Sequence, residues 1–261
     1  MTLQKKTRPR PASNGMNIGL LGHGNMGTEI ERLVRAAGTH TVSIIGIKEP
    51  EGTIDTAGLK NADTVIDFTS PEIVLNNIRT VAKAGKNIVV GTTGWQEHIA
   101  EVEEIVRESG VGLIYGQNFS IGANIFFRAV AHATKLFSAF KEYDVCGLEI
   151  HHAGKKDSPS GTALRTAQEI LRNSKVKTTL QAGKLDRKIR PEELHFASVR
   201  GGVNPGFHEV IFDSNADAVT ISHSAHNRQG FAQGAILAAE FIKGKKGLYT
   251  FDDVMKAHGI K

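Results

Sequence analysis

Two histidines, a lysine and a Ser-Gly-Thr turn stand close together in His151-His152-Ala153-Gly154-Lys155-Lys156-Asp157-Ser158-Pro159-Ser160-Gly161-Thr162. Imidazole and ammonium groups move protons, and a positioned one supplies both the proton and charge stabilisation. Ser160 suits the N-cap of a following helix. Gly161 lets an anion approach the free N–H groups of a helix start. The set fits a small substrate that carries carboxylates and needs a proton. Taken singly, each residue fits an ordinary cap or surface loop; their company carries the reading. A metal is not expected. Adjacent strand residues point to opposite faces, so His151 and His152 do not share an ion, and no zinc-type spacing or cysteine pair accompanies them.

These residues need a strand before them and a helix after them. Tyr143 to Ile150 reads as the strand, with Val145, Leu148 and Ile150 apolar. Ala163, Leu164, Ala167, Ile170 and Leu171 fall at helical spacing.

A second constellation lies near the start. Met16 to Leu21 is a short apolar run that leads into Gly22-His23-Gly24-Asn25-Met26-Gly27. Ile30, Leu33, Val34 and Ala37 then give a helix stopped by Gly38, and Val42 to Ile47 a second strand followed by Lys48-Glu49-Pro50. Strand, glycine turn, helix, strand and terminal acid together form the dinucleotide-binding pattern, with Glu49 placed for the adenosine ribose hydroxyls. The expected cofactor is NADH or NADPH.

Strand–helix units continue: Thr64 to Phe68, a helix from Pro71, Asn87 to Val90, a helix over Trp95 to Glu108, and Val111 to Tyr115. This predicts an α/β, Rossmann-like doubly wound parallel sheet. Ligands bind such sheets at the carboxyl ends of the strands. Phe68, Gly91, Thr92, Thr93, Gly116, Gln117, Asn118 and Phe119 fall there, and with Gly22 to Gly27 they form the expected cofactor wall. A long helix over roughly Ala123 to Phe140 precedes the central motif. Runs near His195 to Val199, His208 to Phe212 and Ala218 to Ser222 have no helices between them and suggest antiparallel pairing. A second α+β domain on a mixed or antiparallel sheet is therefore expected. The division is a basic leader 1–15, a dinucleotide-binding domain 16–119, a substrate-binding and oligomerisation domain 120–228, and helices over 229–261 that return to the first domain.

Composition adds exclusions. Of the net charge of +5, four charges belong to Lys5, Lys6, Arg8 and Arg10 in an acid-free leader. Nucleic-acid binding is not expected from so local a bias. The leader lacks the apolar core of a secretory signal, and no apolar run is long enough to span a membrane. The single cysteine, Cys146, excludes an internal disulfide and fits a reducing cytoplasm.

The run Glu149-x-His151-x-x-x-Lys155-x-Asp157-x-Pro159-Ser160-Gly161-Thr162-Ala163 resembles the signature of the 4-hydroxy-tetrahydrodipicolinate (dihydrodipicolinate) reductase family. Ile66-Asp67-Phe68-Thr69-Ser70-Pro71, Gly91-Thr92-Thr93-Gly94 and Asn118-Phe119-Ser120-Ile121-Gly122 support it. The resemblance implies NAD(P)H-dependent reduction of 4-hydroxy-tetrahydrodipicolinate in the diaminopimelate route to lysine. It implies His151 as proton donor/acceptor and Lys155 as proton donor. His152, Ser160, Gly161, Thr162 and Arg228 would hold the carboxylates of a dicarboxylate substrate. It also implies a homotetramer built through the second sheet. Cys146 and Gly147 depart from the signature, which has an acid and a branched aliphatic there, and the glycine loop is one residue shorter than usual. Two other readings are another amino-acid dehydrogenase of the same two-domain plan and a non-catalytic dinucleotide-binding regulator. The intact motif, with Lys155 and Arg228 both present, weighs against each.

Overall fold

The computed structural model describes residues 15–46 and 54–260. In chain order the elements are β1 (Asn17–Leu21), α1 (Asn25–Ala37), β2 (Thr41–Gly46), α2 (Thr56–Asn61), β3 (Thr64–Asp67), α3 (Pro71–Lys83), β4 (Asn87–Val90), α4 (Ile99–Ser109) and β5 (Gly112–Tyr115). There follow α5 (Ile121–Phe137), β6 (Asp144–His151), α6 (Gly161–Asn173), β7 (Thr179–Gln181), β8 (Glu193–Arg200), β9 (Phe207–Asp213), β10 (Ala218–Ser224), α7 (Gln229–Ile242), β11 (Gly247–Thr250) and α8 (Phe251–Ala257). Residues 1–14 of the leader and Glu49, with its neighbours Lys48 and Pro50, lie outside the described residues.

The chain forms two compact units: the described residues up to Tyr115 with Ala235–Tyr249, and Gly116–Gly234 with the residues from Thr250 onward. In the first unit a six-stranded sheet runs β11-β5-β4-β3-β1-β2, and β1 to β5 pair in parallel throughout. The strands read as short apolar runs because helices cover such a sheet on both faces. Leu21, Val65, Ile88, Val90 and Leu113 are buried against Val74, Ile78, Val81, Val102 and Val106 of α3 and α4. The helix expected to begin at Trp95 begins at Ile99, after a 3-10 turn at Gln96–His98. Trp95 itself is buried, and its indole N–H donates to the Thr92 carbonyl at 2.8 Å.

The second unit holds a five-stranded sheet in the order β10-β9-β6-β8-β7. The sheet is mixed: β9 and β10 pair antiparallel as expected, and only the pairing of β8 differs from the expectation. β6 runs antiparallel to β9 but parallel to β8, and β7 is parallel to β8. The helix α6 between β6 and β8 supplies the long crossover that parallel pairing requires, so β8 joins the far side of β6 instead of forming a hairpin with β9. Phe126, Phe127 and Val130 of α5 and Ala163, Ala167 and Ile170 of α6 pack against Val145, Phe196, Val210 and Phe212. At Gly147 a Cβ would stand 2.5 Å from the Phe196 ring. The ring occupies the space that a branched side chain at position 147 would fill.

The unit boundaries also differ from the expected division. Gly116 to Phe119 join the second unit, and so does α8, which was expected to return to the first. Packing explains this: the Phe119 and Phe251 rings stand 5.0 Å apart, and Arg128 of α5 donates to Asp252 at 2.9 Å.

Candidate active site

In the first unit the expected cofactor residues lie at the carboxyl ends of β1, β3 and β4. Gly24 caps α1 without a side-chain cap hydrogen bond. A Cβ at Gly24 would meet nothing within 4 Å, so the cradle is open on that side. Gly22 has φ +85°, and a Cβ at Gly27 would lie 2.1 Å from the Gly22 carbonyl oxygen. Only glycine allows α1 to approach the turn this closely. His23 faces Glu31 at 2.6 Å, while Asn25 is exposed and Met26 half-buried. The loop therefore fits a pyrophosphate held by backbone N–H groups at a helix start.

Behind the wall sits Asp67, fully buried. It accepts from the Thr69 N–H and hydroxyl, Asn77 Nδ2 and the Thr92 hydroxyl at 2.7–2.9 Å. Burial pushes its carboxyl above the ordinary value, against the pull of these bonds. Asp67 thereby ties the β3 and β4 ends together. The Thr92 hydroxyl is engaged inward, whereas Thr93 is exposed and the Phe68 ring lies against Gly91.

The remaining candidates fall in the second unit. Gln117 is exposed. The Asn118 side chain accepts from the Ser120 N–H and donates to the Thr162 hydroxyl at 3.3 Å. Alternation along β6 turns Val145, Gly147, Glu149 and His151 toward the α5/α6 layer, so His151 is buried and His152 exposed. Gly201 N–H donates to the His151 carbonyl, His152 N–H to the Asn204 carbonyl and Ala225 N–H to the Gly206 carbonyl. The ends of β6, β8 and β10 and the start of β9 are thus gathered at one side of the sheet. Arg228 lies just beyond β10 and is exposed. Lys155 is half-buried on the loop before α6, with its ammonium 2.8 Å from exposed Asp157.

Glu149 organises the site. It is wholly buried and accepts from the Ser160 N–H at 2.9 Å, the Ser198 hydroxyl at 2.8 Å and the Arg200 guanidinium at 2.8 Å, as well as from the Ser160 hydroxyl. His151 Nδ1 stands 3.2 Å from it and His208 Nε2 3.5 Å. Burial pushes this carboxyl up, but the donors, His208 foremost, overcome that and hold it far below the carboxylate range. Ser160 is only 2% exposed, and its hydroxyl also caps α6 by accepting from the Ala163 N–H. The N-cap is therefore what the structure displays for Ser160. Its hydroxyl faces Glu149, leaving Gly161, the Thr162 hydroxyl and the helix start as the outward anion donors.

Sequence reasoning passed over Glu149 as an actor and missed His208, Ser198 and Arg200. The available signal was an acid at a core-facing position of a strand. Glu149, His151 and His208 place ligand atoms within 4.8 Å of one another. The Arg200 guanidinium on the same carboxylate sets a positive charge against any cation there.

Burial lowers His151 to about 4, with Glu149 pulling the other way, and lowers His223 in the same sense. An unfolded histidine protonates near 6.5. The contribution of neutral, buried His151 is present above that value and lost as pH falls toward 4. The unfolding midpoint should drop between about pH 6.5 and 4, and His151→Gln should make the drop shallower. Thermal melts across that window check it.

Residues 16–119 match the family model described as dihydrodipicolinate reductase, N-terminus, and residues 122–255 match the one described as dihydrodipicolinate reductase, C-terminus. A 4-hydroxy-tetrahydrodipicolinate reductase of Christiangramia forsetii is 38% identical over 92% of this chain and 98% of its own. One from Methanocaldococcus jannaschii is 38% identical over 76% of this chain and 73% of its own. The solved dipicolinate-bound dihydrodipicolinate reductase from Paenisporosarcina sp. TG-14 shares the fold, with a TM-score of 0.70, 22% identity and coverage of 90% of this chain and 97% of that one.

Proposed function

Because the chain belongs to the dihydrodipicolinate reductase family, we propose a division of labour between its two residue sets. The protein is an NAD(P)H-dependent oxidoreductase, the 4-hydroxy-tetrahydrodipicolinate reductase of the diaminopimelate route to lysine. Neither alternative reading is favoured by these matches.

The glycine loop, Gly22 to Gly27, holds the cofactor pyrophosphate on the α1 N–H groups, with Phe68, Gly91, Thr92 and Thr93 of the same unit toward the nicotinamide end. The bound cofactor supplies the hydride. Gly161, Thr162, His152 and Arg228 hold the substrate carboxylates, with Arg228 able to pair bidentately. Lys155 and His151 handle the proton. The observation that carries this reading is the Glu149 network. It fixes the capped start of α6 beside His151, with the Lys155 ammonium on the loop that joins them.

NADH is used at least as well as NADPH. Glu49 lies outside the described residues, so this rests on the sequence. An acid there accepts from ribose hydroxyls and repels a 2′-phosphate. Pro50 follows it instead of a basic residue, and Lys48 offers only a flexible point charge. A coupled assay tests activity and preference together: the synthase product is supplied and absorbance followed with each cofactor at one salt concentration. Comparable specificity constants are expected. A strong preference for NADPH would mean that Lys48 outweighs Glu49, and no turnover with either would refute the residue assignments.

The protein assembles as a homotetramer through the face of the second sheet opposite α5 and α6. That face carries Leu148, Ile150, Ala197, Phe207 and Ile211, none fully buried, and Val199, 50% exposed. Such a row of apolar residues on a sheet needs cover. Val199→Asp should dissociate the tetramer, and light scattering reads the mass. A wild-type monomer at micromolar concentration would contradict the assembly. The cytoplasm is the proposed compartment, in keeping with the free thiol of Cys146.

A further inference from the structure

We propose that Glu149 is a positioning residue for the reduction, acting through His151. Its Oε2 lies 3.2 Å from His151 Nδ1, and that nitrogen is buried with no aligned hydrogen bond. Among the described residues, this carboxylate is the acceptor that faces it. The other ring nitrogen, Nε2, lies on the Gly206 side of the ring, 3.0 Å from where a Cβ there would stand. A carboxylate behind an imidazole holds the proton on the facing nitrogen, leaves the far one as the acceptor, and stabilises the imidazolium formed when that nitrogen takes a proton.

The surroundings keep Glu149 charged for this task. Ser160 of α6, Ser198 and Arg200 of β8 and His208 of β9 all face the carboxylate. His223 of β10 lies beyond His208, its ring tilted and its centre 6.3 Å away. His208 also edges His151, at 5.1 Å. The Ser160, Ser198 and Arg200 donors thus hold the carboxylate, while the His151 and His208 rings face it without an aligned bond to it; His208 Nε2 meets the Ser160 hydroxyl at 3.2 Å, and among the described residues His151 Nδ1 has no hydrogen-bond partner.

This rests on the reading of His151 as a proton carrier, and the test separates the two. Glu149→Gln, His151→Gln and the double variant are compared by kcat, by KM for the substrate and by thermal melts. A glutamine can present its amide N–H to Nδ1 and so hold the opposite tautomer. Glu149→Gln should therefore lower kcat about 10²-fold while KM changes less than about threefold. The double variant should be no slower than His151→Gln alone, the non-additive result expected of residues that act as a unit. Additive losses, or equal damage to kcat and KM, would overturn the proposal and leave Glu149 a structural residue. Full turnover in His151→Gln would refute the proton-carrier reading itself, and the Glu149 role with it. If Glu149→Gln does not fold because Arg200 loses its partner, Glu149→Asp keeps the charge and shortens the reach. It should lower kcat about tenfold or more at near-constant KM, and wild-type turnover in it would overturn the proposal.

Discussion

Lys155→Ala lowers turnover about 10²-fold or more, the scale of a lost general acid. Hydride arriving at an unsaturated ring carbon leaves electron density on the ring nitrogen side, and that density must take a proton. In the role proposed for it, the Lys155 ammonium supplies one and stabilises the charge while it develops. Its loop is anchored at both ends. The Lys155 N–H donates to the His152 carbonyl, and the Arg200 guanidinium donates to the Asp157 carbonyl at 2.6 Å. Removal of the side chain should therefore leave the loop in place. Its partner Asp157 is exposed, and the hydrogen bond from Lys155 holds that carboxyl below its ordinary value. The ammonium can exchange this partner for substrate at little cost, since exposed pairs contribute about 0–1 kcal/mol. Cofactor affinity should stay near wild type, because Lys155 and the glycine loop fall in different compact units. Steady-state kinetics with an NADH titration check both halves. Full turnover at unchanged substrate affinity would remove Lys155 from the chemistry.

Gly27→Val should weaken NADH binding about 10²-fold, the equivalent of roughly 3 kcal/mol of overpacking. The first atom of any side chain there would lie 2.1 Å from the Gly22 carbonyl oxygen. That oxygen belongs to backbone, and Gly22 N–H is itself bonded to the Gly46 carbonyl at 3.0 Å, so the turn has no easy way to retreat. The start of α1 must move instead, and with it the N–H groups offered to the pyrophosphate. Fluorescence titration reads the affinity, and melting reads the accompanying loss of stability. Wild-type binding would mean that the helix shifts without disturbing the cradle.

Much of this was legible in the sequence, for reasons that differ by element. The β1–α1–β2 unit declares itself because glycine spacing, helical periodicity and apolar strand runs coincide within thirty-odd residues. The central motif is equally plain: strand, loop and cap are contiguous. The elements that escaped are short. Six-residue α2, three-residue β7 and four-residue β11 hold too few residues for any period to register. Pairing was the other blind spot. Alternation identifies β8 as a strand, but it does not name β6 as its neighbour. The Glu149 network was hidden for a related reason: Ser198, Arg200 and His208 lie far along the chain, and only the sheet brings them to one carboxylate. The same holds for α8, whose place follows from Phe119 and Arg128 and not from its own periodicity.

β11 has a consequence for the protein's birth. The first unit's sheet is finished on the β5 side by Gly247–Thr250, which follows the whole second sheet in the chain. Domains that fold as they leave the ribosome do so from the N-terminus. Here β1 to β5 emerge long before the strand that closes them. Until β11 is made, the nascent sheet presents the bare β5 edge, whose unpaired N–H and C=O groups invite another chain. Synthesis halted anywhere between the second sheet and β11 would release a polypeptide with one sheet complete and the other still open.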